Sequence, residues 1–324
     1  MSTPLSTSGL MKHLRNDCNV NISGNLEKQQ LLIYGYYHGY KGYRFVFNKN
    51  CQIPYTEFKE LISVIEYDNN LKSILYPDLM FIETAIKNIV CNTSIYGLNS
   101  NTFDFVYKNR MNDCLSNTKL QINRLSLRNK VYSIIANQYK SEEKSSNKMI
   151  RHFYNRGEDA PLWVIFEILF LSDLANFFNC LNKNKRKEIL QLLNLSNTAI
   201  DTDQTLLSSI LFTIKPLRNS VAHNNIIFDA RFKNQGFNKI LKSWVETETN
   251  INNITLYSLI DYIIIICCIL KRIDFDNTRA NNLLQKYKEQ NEILQNSVSE
   301  DIYNTIIKTN VSQKITSLEQ YLNV

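Results

Sequence analysis

The sequence predicts an all-α protein, because it is poor in the residues that make tight turns and rich enough in apolar residues to form a core. Eight glycines and five prolines among 324 residues are about a third of the usual share of each. A β-rich fold needs turn residues roughly every ten positions, whereas long helices joined by polar loops need few. Apolar residues make up 44% of the chain, which suffices for a core without covalent cross-links.

Residues 1–54 are predicted to be an N-terminal segment that contains an aromatic bend. A capped helix is expected to begin near Gly24. Residues 35–47 hold three glycines and many aromatic residues, which predicts a bend followed by a short strand or extended segment. The aromatic side chains form either a packed corner or a platform on which bases stack beside basic side chains.

Residues 55–275 are predicted to be the helical core. Over residues 55–93 the apolar side chains recur three and four positions apart, which predicts one long amphipathic helix or two that meet near Pro77. The same pattern predicts further helices over residues 127–137, 160–181, 203–216 and 254–273.

Polar and charged residues predict where some of these helices begin and end. Pro161 suits the first turn of the 160–181 helix. Lys183 to Lys187 are expected to close that helix, since positive charge is favourable at a helix carboxyl end. The polar run 140–148 is expected to be an exposed loop, and residues 276–324 are expected to form a C-terminal extension of one or two peripheral helices.

The chain is expected to stay in the cytoplasm and outside the membrane. Residues 254–270 are strongly apolar, but a bilayer span needs about 20 apolar residues and Asp261 lies near the middle of this segment, which favours a buried helix. The N-terminus lacks a signal-peptide pattern. Seven scattered cysteines without a CxxC pair indicate neither a disulfide framework nor a zinc site.

The charge of the chain suits a polyanionic partner such as RNA. Lysine and arginine outnumber aspartate and glutamate by 37 to 30, for a net charge of +7, which is less than a dedicated nucleic-acid coat carries. Two clusters supply the basic residues that we expect to contact RNA: Arg151 and Arg156 in the first, and Lys183, Lys185 and Arg186 in the second.

The candidate catalytic residues are Arg218, Asn219 and His223. Helical spacing places Asn219 and His223 one turn apart on one face, with Arg218 adjoining. Cleavage of RNA without a metal needs a base for the 2′-OH proton and positive charge for the phosphorane, and imidazole and guanidinium suit these roles. The alternative is a histidine that packs at a helix end.

No cofactor or metal is expected from the other motifs. Known phosphate-binding loops, HExxH sites and GxSxG elbows are absent from the sequence. The remaining histidines, His13, His38 and His152, have no metal-ligand spacing to one another or to His223.

Residues 217–224, Leu-Arg-Asn-Ser-Val-Ala-His-Asn, resemble the RN-xxx-H signature of HEPN ribonucleases, and in particular the LRN..AH motif of the Abi-like abortive-infection family. The resemblance extends from about residue 30 to 275. Lys72 and Lys87 stand where the family usually has arginine, and Ser172-Asp173 replaces a small glycine. Four further blocks resemble that family in the same order: residues 36–47, 66–72, 81–87 and 161–167.

The resemblance implies a helical HEPN-type bundle that forms a homodimer, with the clusters of two protomers facing one cleft. In that cleft His223 is the general acid/base and Arg218 binds the scissile phosphate. Asn219 orients one of these two residues. Glu167 and Glu83 are either auxiliary polar residues or members of buried salt bridges.

The implied function is antiphage defence by a toxin-like, metal-independent endoribonuclease that leaves 2′,3′-cyclic phosphate and 5′-OH ends. One alternative is an RNA-binding protein that holds a structured small RNA with little or no cleavage. Another is a helical interaction module in which Arg218 and His223 only cap and pack.

Overall fold

The computed structural model describes residues 5–112, 117–140, 148–233, 236–274 and 277–323. Within these ranges the chain is helical and makes only isolated β-bridges, which confirms the all-α prediction. The chain divides into two compact units. Unit 1 comprises Met1–Leu79, Pro216–Gly236 and Val245–Val324, and unit 2 comprises Met80–Lys215 and Phe237–Trp244.

The helices range from a single turn to the 38 residues of Phe58–Ile95. In chain order they are α1 (Thr7–Cys18), α2 (Gly24–Tyr34), a π-helix (Gly35–Tyr40), α3 (Lys41–Tyr43), α4 (Phe58–Ile95), α5 (Phe103–Arg110), α6 (Thr118–Lys140), α7 (Lys148–Tyr154), α8 (Leu162–Ile168), α9 (Leu171–Cys180), α10 (Lys183–Leu192), α11 (Leu206–Ala222), α12 (Lys239–Thr249), α13 (Leu259–Ile273), α14 (Thr278–Ser297), α15 (Glu300–Ile306) and α16 (Asn310–Leu322).

The aromatic segment of unit 1 begins as a helix over residues 35–43 rather than as the predicted bend, and only an isolated antiparallel bridge, between Phe45 and Gln52, follows in place of a strand. The helix expected near Gly24 is α2, and the π-helix and α3 follow it. Tyr36, Tyr40 and Tyr43 recur at helical spacing and are buried, and the rings of Tyr36 and Tyr40 stack at 5.7 Å. Burial of these rings on one face outweighs the strand preference of aromatic residues.

Two prolines lie inside continuous helices. α4 runs through Pro77, so residues 58–95 form one helix rather than two. α11 runs through Pro216 and ends at Ala222, although the sequence predicted that it ends at Pro216. Proline removes one N–H donor, while burial of Leu217 and Val221 stabilises the helix beyond it. The candidate residues Arg218 and Asn219 therefore lie on the end of α11.

The core of unit 1 is α13, which is buried at every residue from Leu259 to Leu270. α14 and α16 pack against it, so the C-terminal helices are part of the core and not peripheral as the sequence predicted. Tyr287 and Leu318 contribute buried side chains from these two helices. Across the described ranges, the apolar stretches of the helices are too short for a bilayer crossing.

Unit 2 is organised around α6, which packs against α7, α8 and α9. The single helix predicted over residues 160–181 is divided into α8 and α9. Asn182 caps α10 by accepting the Lys185 N–H at 2.9 Å. Lys183 to Lys187 therefore begin a helix, and the prediction that they close one is wrong. Most of the loop expected over 140–148 lies outside the described residues.

A buried ion pair between Asp261 and Lys314 holds α16 onto the start of α13. The Asp261 carboxylate is fully buried and accepts the backbone N–H groups of Thr255 and Leu256. The Lys314 Nζ donates to Asp261 at 2.5 Å and to the Asn253 carbonyl at 3.0 Å. We expect Lys314→Met to lower the free energy of unfolding by about 3 kcal/mol, because it leaves a buried carboxylate without its cation.

The matched control is Lys288→Met, which removes the lysine of the partly exposed Lys288–Glu319 pair. Partly exposed ion pairs contribute little to stability, so this variant should lower the free energy of unfolding by less than about 1 kcal/mol. Urea unfolding of both variants measures the difference. Equal effects would contradict the role assigned to the buried pair.

Candidate functional site

The turn that ends α11 fixes the position of the candidate residues. Asn224 adopts the left-handed backbone conformation, with φ of 55°, which asparagine tolerates better than most residues. The Asn225 N–H donates to the Ser220 carbonyl at 2.8 Å and the Asn224 N–H to the Val221 carbonyl at 3.5 Å. This pair of bonds is a Schellman motif, which closes a helix and turns the chain away from it.

Arg218, Asn219 and His223 lie together at this helix end. The Arg218 Nη1 donates to the Asn219 Oδ1 at 3.4 Å, and the His223 N–H donates to the Asn219 carbonyl at 2.9 Å. The Asn219 side chain therefore contacts Arg218, and the backbone bond places His223 one helical turn after Asn219. The His223 side chain is exposed, and those of Arg218 and Asn219 are partly exposed, so a dissolved anion has access to all three.

The segment after the turn is held by the carboxylate of Asp68, which is fully buried on α4. Its Oδ1 accepts the backbone N–H groups of Ile227 at 2.8 Å and Phe228 at 2.7 Å. Its Oδ2 accepts the Tyr43 hydroxyl at 2.8 Å and lies 3.0 Å from the Lys72 Nζ. Burial, reinforced by the nearby carboxylate, raises the pKa of the Tyr43 phenol, which therefore remains a donor.

Lys72 connects this buried carboxylate to the turn itself. Its Nζ donates to the Asn224 Oδ1 at 2.7 Å while pairing with Asp68. Lys72 is nearly buried, and its positive charge is paired with the Asp68 carboxylate inside the protein. Lys87, the other lysine at an expected arginine position, pairs with Glu83 at 2.9 Å in unit 2.

A second carboxylate, Asp229, holds the same segment to the aromatic region. Asp229 accepts the Phe47 N–H at 2.5 Å and a two-nitrogen contact from Arg231, whose Nε and Nη2 lie 2.9 and 2.8 Å from its oxygens. The Arg231 guanidinium also donates to the carbonyls of Gly42 at 2.6 Å and Phe45 at 2.7 Å. One arginine thus bridges the π-helix region and the segment after α11.

The other predicted site residues belong to unit 2. Glu83 is buried and paired with Lys87, which is the salt-bridge arrangement that the sequence left open. Glu167 is exposed on α8. Arg156 is exposed and pairs with Glu158 at 3.2 Å, and Arg151 donates to the Tyr139 carbonyl at 3.3 Å.

The basic cluster at α10 is only partly exposed. Lys183 is exposed, and Lys185 pairs with Glu188 at 2.6 Å. Burial lowers the pKa of Arg186, against the opposing effect of Asp201 and Asp203. Lys183 is therefore better placed than Arg186 to meet an external phosphate.

Sequence reasoning missed the carboxylates that position the site. Asp68 lies in one of the blocks that resemble the Abi-like family, and Asp229 follows the motif by six residues, yet neither was assigned a role. An acidic residue inside an apolar helix pattern is the available signal for Asp68, because a buried charge requires partners. Nothing in the local pattern distinguishes Asp229.

The family model described as Abi-like protein matches residues 29–229, which is more than half of the chain and ends short of the residue 275 expected from the sequence. The matched range contains the aromatic segment, Asp68, the Arg218-to-His223 motif and Asp229. Searches of curated proteins and of solved structures find no match.

The Asp68 network predicts a stability effect that a surface carboxylate does not share. Asp68→Asn removes the negative charge that faces Lys72 and replaces one acceptor oxygen by an amide donor. We expect it to lower the free energy of unfolding by about 3 kcal/mol. Glu66→Gln is the matched control, because Glu66 is exposed on the same helix and its change should stay within about 0.5 kcal/mol. Denaturant unfolding that gives equal values for both variants would contradict the network's role.

Proposed function

This chain belongs to the Abi-like protein family, and from that membership we propose that it is an abortive-infection defence protein that acts as a metal-independent HEPN-type endoribonuclease. Family membership supports the defence role. The observation that carries the ribonuclease proposal is the group at the end of α11, where the Asn219 side chain contacts Arg218, His223 lies one turn further on, and the three side chains are exposed or partly exposed.

The proposed reaction is a transesterification within the RNA strand. His223 takes the proton of a ribose 2′-OH, and the 2′ oxygen attacks the adjacent phosphorus. The bond from phosphorus to the 5′ oxygen of the next nucleotide breaks, and that oxygen receives a proton from an imidazolium. The products are a 2′,3′-cyclic phosphate and a 5′-OH, and the protons balance over the cycle.

Each residue type has a distinct part in this scheme. The guanidinium of Arg218 presents a planar set of donors to the phosphate and stabilises the charge that grows on its oxygens. General acid/base catalysis by a positioned imidazole contributes about 10² to 10⁴ in rate. Asn219 is proposed as a positioning residue for Arg218, since its side-chain oxygen accepts a hydrogen bond from the Arg218 guanidinium. Together they supply the proton transfer and positive charge that a metal supplies elsewhere.

The basic residues of unit 2 are proposed contacts for the RNA backbone outside the motif. Arg156 and Lys183 are exposed, so their charges are accessible to phosphate oxygens. Arg151, Lys185 and Arg186 have partners inside the protein or are partly buried, and their contribution is expected to be smaller.

The catalytic assignment predicts that His223→Ala loses activity without losing stability. We expect RNA cleavage to fall by about 10²-fold or more with an unchanged melting temperature, because the side chain is exposed. Arg218→Lys should also lose cleavage, since it keeps the charge but not the planar donor set. Cleavage is measured on purified protein with a chelator present.

The control for this experiment is His152→Ala, an exposed histidine of unit 2, which should keep full activity. A fully active His223→Ala protein would contradict the mechanism. Retained RNA binding without any cleavage by the wild-type protein would favour the alternative of a protein that holds a small RNA.

We expect the protein to be a homodimer. The reaction uses one imidazole as the base and an imidazolium as the acid, and each chain carries a single motif, so two facing motifs would supply both groups. Two-fold pairing is also the commonest symmetry of homo-oligomers. Light scattering should give twice the 37.9 kDa mass of one chain at micromolar concentration. Adding excess His223→Ala protein to wild type should lower activity by forming mixed dimers. A fully active monomer would contradict this arrangement.

A further inference from the structure

An open cleft of about 340 Å³ lies beside the end of α11. Its volume is at the lower end of the range for small-molecule sites, about 300–1,000 Å³. Ser220, three residues before His223, lines it from the last turn of the motif helix, and the cleft therefore adjoins the proposed catalytic group. The complete lining is His38, Ser220, Asn225, Ile226, Arg231 and Phe232.

The walls of this cleft are fixed by close packing and hydrogen bonds. A Cβ added at Gly42 would lie 3.0 Å from the Ile226 Cδ1, so these two segments are in close contact. Arg231 ties them together through the Gly42 carbonyl. Phe232 packs edge-to-face on Tyr262 with ring centroids 4.9 Å apart. The cleft is therefore preformed, which reduces the ordering that a ligand must cause on binding.

The cleft combines an apolar wall with two available polar side chains. Ile226 and Phe232 supply the apolar surface. His38 and Asn225 are exposed, and within the described part of the chain their side chains make no hydrogen bond. The Arg231 guanidinium faces Asp229, so its charge is balanced and the cleft does not favour a second phosphate.

A neutral, flat ring with donors and acceptors along its edge fits this lining, and nucleobases have that chemistry. His38 is exposed on the π-helix, whereas Tyr36 and Tyr40 of the same helix are buried. Such π insertions occur often at functional sites.

We propose that this cleft binds one unpaired nucleobase of the RNA, next to the scissile phosphate, and this inference rests on the proposed ribonuclease function. His38 and Asn225 hydrogen-bond to the edge of the base, and Phe232 and Ile226 contact its face. These residues set which nucleotide the protein prefers at the cleavage position.

The test compares RNA with and without the base. His223→Ala protein, in which cleavage is blocked, is titrated with a short single-stranded RNA and with the same strand made abasic beside the cleavage position. We expect the intact strand to bind more tightly. Adding His38→Ala or Asn225→Ala should weaken binding of the intact strand about five-fold or more, as expected for one lost hydrogen bond, and leave the abasic strand unchanged.

Tyr37→Ala is the matched control, because Tyr37 is 75% exposed on the same π-helix and does not line the cleft. It should bind both strands as the parent does. Weaker binding for Tyr37→Ala but not for His38→Ala would overturn the proposal in favour of a surface stacking platform.

Cleavage by the wild-type protein, measured in parallel, tests the ribonuclease proposal separately from the cleft proposal. If wild type cleaves RNA but the intact and abasic strands bind equally, the cleft proposal fails and the ribonuclease proposal stands. If wild type neither binds nor cleaves RNA, both fail. Melting temperatures of the variants should match that of the parent, since His38 and Asn225 are exposed.

Discussion

The buried carboxylate of Asp68 is the interaction on which the site depends. A charged group without solvent contact is tolerated only when hydrogen bonds and an opposite charge satisfy it. The groups that satisfy Asp68 come from three separate parts of the chain: Tyr43 after the π-helix, Lys72 on α4, and the backbone of Ile227 and Phe228 beyond the motif. Satisfying one carboxylate therefore determines where three segments meet.

Asp229 and Arg231 add a second connection between the same regions. Because Arg231 donates to the Gly42 and Phe45 carbonyls, the aromatic segment cannot move away from the segment after α11 without exposing polar groups that have lost their partners. Along the chain, the turn at Asn224 comes before Ile227 and Phe228, which bind Asp68, and before Asp229. The Lys72 Nζ donates a hydrogen bond to the Asn224 side chain. The helix end that carries Arg218, Asn219 and His223 is thus held in place by contacts to its following segment, while these side chains are exposed or partly exposed.

Much of the helical framework could be predicted from periodicity alone. The apolar pattern identified α4, α13 and the helix leading to the motif, and helical spacing correctly placed Asn219 one turn before His223, where the two share a backbone hydrogen bond. The family resemblance was also correct, although the matched range is shorter at its carboxyl end. The helices and the spacing within them are local features, so a short stretch of sequence is enough to predict them.

The remaining features depend on contacts between distant residues. The Ile227 N–H that satisfies Asp68 lies 159 positions away, and no local pattern identifies that pairing. Continuation of α11 through Pro216 depends on burial of Leu217 and Val221, which outweighs a usual helix-ending signal. Residues 35–43 are helical for the same reason, since burial of Tyr36 and Tyr40 outweighs the strand preference of aromatic residues. Lys72 stands where the family usually has arginine, and only the structure shows that its charge pairs with the buried carboxylate of Asp68.

We propose that the helix end held by Asp68 is a metal-independent site for attack by a ribose 2′-OH. The most direct measurement uses an RNA with a single 2′-deoxy nucleotide immediately 5′ of the cleaved bond, compared with the all-ribose strand, in the presence of a chelator. We expect the all-ribose strand to be cut to a 2′,3′-cyclic phosphate and the 2′-deoxy strand to be left intact at that position. Cleavage of the 2′-deoxy strand at the same bond, or loss of all cleavage when the chelator is added, would contradict it.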